Sequence, residues 1–182
     1  MSAAQIDAFD LYDIASFDET QLQALTSTQF RVLSSDEISI LNATQVAALA
    51  VTQLRALTAT QIAGLTPFEM AELTGAQVGL LSATQIFYMT STQVAALSTS
   101  GLAALSATQV SGLSIEDLIA LSTTQVASLA PTSLSALSAA QITGLSTEDL
   151  AALSTTQVQA FTTTQLAAMT TAQYNVLFPP AA

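Results

Sequence analysis

The sequence predicts an all-α fold, a solenoid of very short capped helices with an eight-residue repeat, and three observations predict it. First, a Leu-Ser/Thr-x-x-Gln-Val/Ile-x-Ala octad fits the chain from Ser2 to Leu177, which is 22 octads. Second, a hydroxyl residue followed three residues later by Gln is a capping box. Third, the Leu before the hydroxyl can contact the Val or Ile after the Gln as a hydrophobic staple. Both devices begin helices and recur every eight residues, so each helix is limited to about two turns.

One continuous helix and a β-roll are the two other structures that the eight-residue period could indicate. In one continuous helix the Leu and the Val or Ile five residues later would lie about 140° apart, and each octad would drift by a further 80° or so, which leaves no apolar stripe. A β-roll solenoid is the alternative that remains, because Thr and Val favour strands. Its turns would need Gly, Asn and Asp, and the whole chain has only six Gly. The period therefore favours short helices.

The octads alternate in character from Thr26 onward. Every second octad has Gln at the Gln position, whereas the octads between them have Gln, Glu, Asp, Ser or Gly there. This alternation predicts two helices per sixteen-residue coil, with the variable octads facing solvent more. We expect the Gln side chains of the regular octads to stack from coil to coil as a structural ladder, made of Gln29, Gln45, Gln61, Gln77, Gln93, Gln109, Gln125, Gln141, Gln157 and Gln173.

The sequence divides into three predicted segments. Residues 1–25 are predicted to be acidic N-terminal capping repeats, because five acids lie between Asp7 and Glu19 and the terminal repeat of a solenoid needs a polar outer face. Residues 26–177 are predicted to be the octapeptide-repeat solenoid. Residues 178–182 are predicted to be a C-terminal tail, because Phe178 is followed by two prolines that cannot continue a helix.

The composition argues against several classes of function. The net charge is −11, with two Arg and no Lys, so nucleic-acid binding is not expected. Because His and Cys are absent, we expect no enzymatic activity, no metal and no cofactor. Three acidic pairs fall in the first turn of predicted helices, where the positive end of the helix dipole stabilises negative charge. This interpretation is favoured over a calcium site. The pairs are Asp36-Glu37, Glu116-Asp117 and Glu148-Asp149. Ser, Thr or Gln interrupts every apolar run, so no membrane insertion is expected. No signal peptide is visible.

Four large apolar residues occupy positions that are small or polar in most octads. They are Phe68, Phe87, Tyr88 and Met89. One interpretation is an exposed apolar patch that binds a partner. The other is that they fill a local gap against Leu80, and the sequence does not decide between the two.

The repeated pattern, as it stands at Leu41 to Ala48, Leu57 to Gly64 and Leu153 to Ala160, resembles octapeptide tracts of very large, lysine-poor bacterial surface or secreted proteins. The resemblance covers nearly the whole chain and implies a location outside the cell. The same phrase resembles the helix start of the TAL-effector DNA-binding repeat. That repeat is some four times longer and its array needs basic residues, so DNA binding is not implied.

The predicted function is that of a non-enzymatic structural repeat protein. We expect a cell-surface or extracellular spacer, adhesive or self-assembling, filament-like solenoid, whose partner is a second copy or another surface protein. The chain has positive mean hydropathy and almost no cations, which favours association. The alternative is a partner- or ligand-binding repeat module that uses the side chains of the variable octads.

Overall fold

A computed structural model describes residues 1–180, and within them all regular secondary structure is helical. There is one short helix per octad, as predicted, and the β-roll alternative is not supported, because this part of the chain contains no strand. The helices are four to seven residues long. In chain order they are α1 (Ala3–Ile6), α2 (Leu11–Ala15), α3 (Glu19–Gln23), α4 (Ser27–Phe30), α5 (Ser35–Ser39), α6 (Ala43–Ala47), α7 (Val51–Ala56), α8 (Ala59–Gly64), α9 (Pro67–Glu72), α10 (Gly75–Val78), α11 (Ala83–Phe87), α12 (Ser91–Ala96), α13 (Thr99–Ala103), α14 (Ala107–Val110), α15 (Ile115–Ala120), α16 (Thr123–Ser128), α17 (Pro131–Ala136), α18 (Ala139–Ile142), α19 (Thr147–Ala151), α20 (Thr155–Gln159), α21 (Thr163–Ala168) and α22 (Thr171–Leu177).

Each helix begins where the octad predicts, at its hydroxyl or other capping residue. At α8 the Thr58 hydroxyl accepts from the Gln61 backbone amide at 3.2 Å, and Gln61 Oε1 accepts from the Thr58 backbone amide at 2.9 Å. This is the reciprocal capping box. Two octads have Ala in place of the capping residue, and there Ala50 and Ala130 provide no side-chain cap. Pro131 is the first residue of α17, where the missing N–H costs nothing.

The helices pack in a repeating, solenoid-like order in which nearly every helix contacts the third one after it. For example, α9 packs against α6 and α12, and α14 packs against α11 and α17. One coil therefore contains three octads, or 24 residues. The prediction of two helices per sixteen-residue coil was wrong. The number of helices in a coil depends on how far the chain turns at each corner, which is the Leu position between two successive helices. The alternation of octads contains no information on that angle.

In most octads two apolar residues form the core. The residue after the Gln position is fully buried, as at Ile62, and the corner Leu is nearly so, as at Leu65, which is 3% exposed. Burial of such a side chain contributes roughly 1.5–3 kcal/mol. An isolated helix of one turn is unstable in water, so stability comes from contacts between neighbouring coils. No helix within residues 1–180 is long and apolar enough to cross a membrane.

The two ends of the described chain follow the same rules. Asp10 and Asp18 cap α2 and α3, while the rings of Phe9 and Phe17 pack edge to face with centroids 5.7 Å apart. Whether residues 1–25 act as a cap stays a prediction. Phe178 follows α22 directly. The last two residues of the predicted tail, 181 and 182, lie outside the described residues.

Candidate functional site

The Gln position, the third residue of each helix, is the site that links one coil to the next. Gln61 shows the arrangement in full. Its Oε1 accepts from the Thr58 amide, and its Nε2 donates to the carbonyl oxygens of Phe30 and Leu33, each at 2.8 Å. Phe30 is the last residue of α4. One buried amide therefore serves the N-terminus of its own helix and two carbonyls at the C-terminal end of a helix in the preceding coil.

This use of Nε2 explains how the helices end with few glycines. Helices commonly end in a left-handed residue, usually Gly, whose N–H serves the last carbonyls. Within residues 1–180 no residue has a positive φ. The N–H of the corner residue serves one of the last carbonyls, as Leu65 does for Ile62 at 3.2 Å. The Gln amide of the following coil adds a second donor, which reaches these carbonyls from outside the helix. The corner is therefore completed only when the next coil is in place.

Every Gln of the predicted ladder makes such a contact. The ladder is built differently from the prediction, because each amide donates to backbone carbonyls and not to another Gln. These acceptors lie 28 or 30 residues earlier and are Met1 for Gln29, Phe17 for Gln45, Leu33 for Gln61, Ala47 for Gln77, Leu65 for Gln93, Leu81 for Gln109, Leu97 for Gln125, Leu113 for Gln141, Leu129 for Gln157 and Leu145 for Gln173.

Three Gln residues of the variable octads make the same contact and were not predicted to do so. Gln53, Gln85 and Gln165 donate to the corner residues Leu25, Leu57 and Leu137 at 3.0, 3.0 and 2.7 Å. All three are buried. The expectation that the variable octads face solvent more was therefore wrong, because a three-helix coil places both kinds of octad on every side. The signal that could have identified them is their position in the octad, irrespective of the alternation.

Acidic residues at the Gln position keep the contact to the N-cap of their own helix. The carboxylates of Glu37, Asp117 and Asp149 accept from the N-cap backbone amides of Ser34, Ser114 and Ser146. These are the second members of the acidic pairs, and their contacts agree with the predicted role at helix N-termini. Within residues 1–180 no group of three or more His, Cys, Asp or Glu side chains is arranged to hold a metal ion.

Glu69 is the exception among these acids. It is 2% exposed, and its Oε2 accepts from the Thr66 backbone amide at 2.5 Å. Its Oε1 is buried without a hydrogen-bond partner. Burial raises the pKa of this carboxyl, although the backbone and side-chain hydrogen bonds from Thr66 oppose the shift. The octad thus places a carboxyl group where a donor is needed.

The predicted binding residues do not form one patch. Phe87 and Tyr88 are 65% and 47% exposed, and their rings pack edge to face with centroids 5.5 Å apart. Phe68 is also exposed but belongs to another stack of helices, since α9 packs on α6 whereas α11 packs on α8. Met89 was wrongly assigned to the exposed patch. It occupies the corner Leu position, so it is buried in the core at 6% exposure.

Phe68 instead lines an open groove along the helix starts of α3, α6 and α9. Phe17, Asp18 and Thr44 line the same groove. Its walls are therefore partly aromatic and partly acidic. The gap-filling interpretation does not apply to Phe68, Phe87 or Tyr88, because all three side chains are exposed.

Comparison with known proteins identifies a repeat family in two parts of the chain. The ALTTAQ repeat family model matches residues 14–51 and 144–177. No curated protein matches the chain. The match confirms that this is a repeat protein. The residues between the two matched stretches form one short helix per octad with the same order of packing, so the solenoid-like packing continues across them.

Proposed function

We propose that the chain is a non-enzymatic structural repeat protein, a spacer or self-assembling solenoid located at the cell surface or outside the cell. The observation that supports it is the use of the repeated side chains. In most octads two apolar residues form the core, one residue caps the helix and a Gln links two coils. The repeated polar groups are used in hydrogen bonds that stabilise the fold, and the residues between them are mostly Ala, Ser and Thr.

The mode of stabilisation also supports a spacing role. Within residues 1–180 the main contacts of each coil are with the coils before and after it, so an array of this kind can be lengthened by whole octads without changing these contacts. The net charge of −11 would keep separate arrays apart at low ionic strength, and salt within a Debye length of about 10 Å would reduce that repulsion. Association is therefore expected to depend on both concentration and salt.

Sedimentation velocity tests the self-assembling part of this proposal. We expect the weight-average sedimentation coefficient to rise with protein concentration, and to rise further when the salt is increased from about 0.05 M to 0.5 M, because screening weakens the repulsion between acidic arrays. Negative-stain electron microscopy of the same samples is expected to show elongated assemblies. A sedimentation coefficient that stays constant under all these conditions, with single short rods in the images, would contradict self-assembly.

The second candidate is a partner-binding module, and the exposed aromatic pair favours it. Phe87 and Tyr88 present two adjacent rings to solvent, and aromatic residues are enriched at protein interfaces. We expect the double substitution Phe87→Ala and Tyr88→Ala to weaken association at least about tenfold while leaving the far-ultraviolet circular dichroism spectrum unchanged.

The matched control for the aromatic pair is Ile119→Ala. Ile119 is 65% exposed, as Phe87 is, but it lies on α15 away from the pair. Its substitution is expected to leave association unchanged. An equal loss in both variants would indicate a general effect of surface hydrophobicity, and no loss in the double variant would remove the aromatic pair from the interface.

A further inference from the structure

Glu69 occupies the position from which other octads donate to the preceding coil. On either side of it along the chain, Gln61 donates to Leu33 and Gln77 donates to Ala47. By the offsets of the two acceptors of Gln61, 31 and 28 residues earlier, the corner that faces Glu69 is formed by Ile38 and Leu41. The Glu69 side chain keeps the capping contact to Thr66, but Oε1 has no partner. The inter-coil half of the link is therefore incomplete as long as the group is a carboxylate.

What the Glu69 carboxylate lacks is a hydrogen-bond donor. An ionised carboxylate only accepts hydrogen bonds, and so does a backbone carbonyl, whereas a neutral carboxylic acid has one O–H donor. A proton on Oε1 would let Glu69 do what the Nε2 of Gln does elsewhere. It would also remove the cost of a buried charge, which is large when no opposite charge is near.

Apart from the Thr66 hydrogen bonds, no positively charged side chain on the elements packed against Glu69 stabilises its charge. The helices α6 and α12, which pack against α9, have no titratable residue. On the chain that leads to the facing corner, Asp36 and Glu37 of α5 precede Ile38, and both are acids. On α9 itself the other titratable group is Glu72, which is exposed. Every charged group near this site along these elements is negative, so the surroundings favour the neutral form.

We propose that Glu69 is a proton-dependent link between coils, in which the neutral carboxylic acid donates from Oε1 to the Ile38–Leu41 corner and holds α9 against α6. Loss of the proton removes this one link, while the Gln links before and after it persist. The array then opens locally at α9 and stays folded elsewhere, because each coil is stabilised by its own neighbours. One octad thus makes the contact between two coils respond to pH.

The direction of the pH dependence follows from the raised pKa of Glu69. A carboxyl with a higher pKa in the folded chain than in the unfolded chain binds its proton more tightly when folded. Its stabilising contribution is therefore fully present below the unfolded value, 4.5. The contribution is lost as the pH rises from there through the folded pKa. Stability at α9 should fall with rising pH over that window and be constant above it.

The substitution Glu69→Gln tests the link, with Glu72→Gln as the matched control on the same helix. Amide hydrogen exchange is measured on α9 and the Ile38–Leu41 corner of the full chain between about pH 4 and pH 8. We expect equal protection factors for wild type and E69Q at pH 4. At pH 8 we expect protection in E69Q to be higher by about tenfold for each unit by which the pKa is raised. The control E72Q should match wild type at every pH.

A direct titration completes the test. Carboxyl carbon shifts of Glu69 followed by nuclear magnetic resonance should give a midpoint above 4.5, the unfolded value, and the midpoint should coincide with the loss of protection at α9. A midpoint at or below that value would overturn the proposal. So would an E69Q effect that is the same at pH 4 and pH 8, because that result would show a permanent packing effect and no proton dependence.

Discussion

Replacement of Gln53 by Met is expected to lower the free energy of unfolding by about 2 kcal/mol or more, because it leaves the Ala50 amide and the Leu25 carbonyl without a partner. The Leu22 carbonyl also loses the Gln53 contact but keeps the Leu25 amide at 3.1 Å. Gln53 is fully buried, and its Oε1 accepts from the Ala50 amide at 2.9 Å. Its Nε2 donates to the carbonyls of Leu22 and Leu25 at 2.6 and 3.0 Å. Met has a similar length and shape, so the loss of hydrogen bonds is separated from the formation of a cavity.

This position is expected to be more sensitive than the equivalent position in most octads. Ala50 has no side-chain oxygen to cap α7, so Gln53 provides the only side-chain capping contact at that helix start. The same side chain also serves the corner after α3. Loss of one residue thus weakens a helix start and the contact between two coils. Urea unfolding followed by circular dichroism measures the total effect, and hydrogen exchange at α3 and α7 locates it.

The matched control is Gln5→Met. Gln5 occupies the same octad position and its Oε1 accepts from the Ser2 amide at 2.7 Å, but the side chain is exposed. Water can replace its single contact, so the change is expected to lie within about 0.5 kcal/mol. If Gln53→Met cost no more than Gln5→Met, the Gln amide would not be the element that joins the coils. A large cost in both would indicate that the capping half alone is responsible.

The start of each helix could be predicted from the sequence because it depends on residues close together in the chain. Thr58, Gln61 and Ile62 form their capping and staple contacts within one octad, so no knowledge of the coil is needed. Pro67 at the first position of α9 belongs to the same class of local information. The predicted capping boxes were confirmed at most helix starts.

The coil itself could not be predicted, because it depends on residues that are far apart. Whether Gln61 Nε2 faces Leu33 or another Gln depends on how far each corner turns, and all corners have similar sequences. The wrong coil length also made the prediction of the Gln contacts incomplete. Assigning alternate octads to different sides of a sixteen-residue coil separated Gln53 from Gln61, although both make the same contacts. Met89 was misplaced for a local reason, since it follows two exposed aromatic residues but lies at a corner position.

Gly112→Ala is expected to destabilise the chain by about 1–3 kcal/mol, because there is no room for a side chain at this position. A Cβ atom there would lie 2.5 Å from the Ala83 carbonyl oxygen and 3.3 Å from its carbonyl carbon. Ala83 is the first residue of α11, which packs against α14. The obstacle is backbone and cannot rotate away, so the two helices have to separate. Separation would also weaken the contact of Gln109 with Leu81, which is 2.7 Å long.

Gly79→Ala is the matched control for this last prediction. Gly79 also follows a four-residue helix, α10, and a Cβ atom there would be 3.4 Å or more from its nearest neighbours. Its φ of −62° suits alanine, so the substitution is expected to be neutral or to stabilise by about 0.4–1 kcal/mol through the unfolded chain. Urea unfolding of both variants measures the difference. Equal stability would mean that neighbouring coils do not approach as closely as the Gly112 contact requires, and the Gln links that depend on this spacing would then have to be longer.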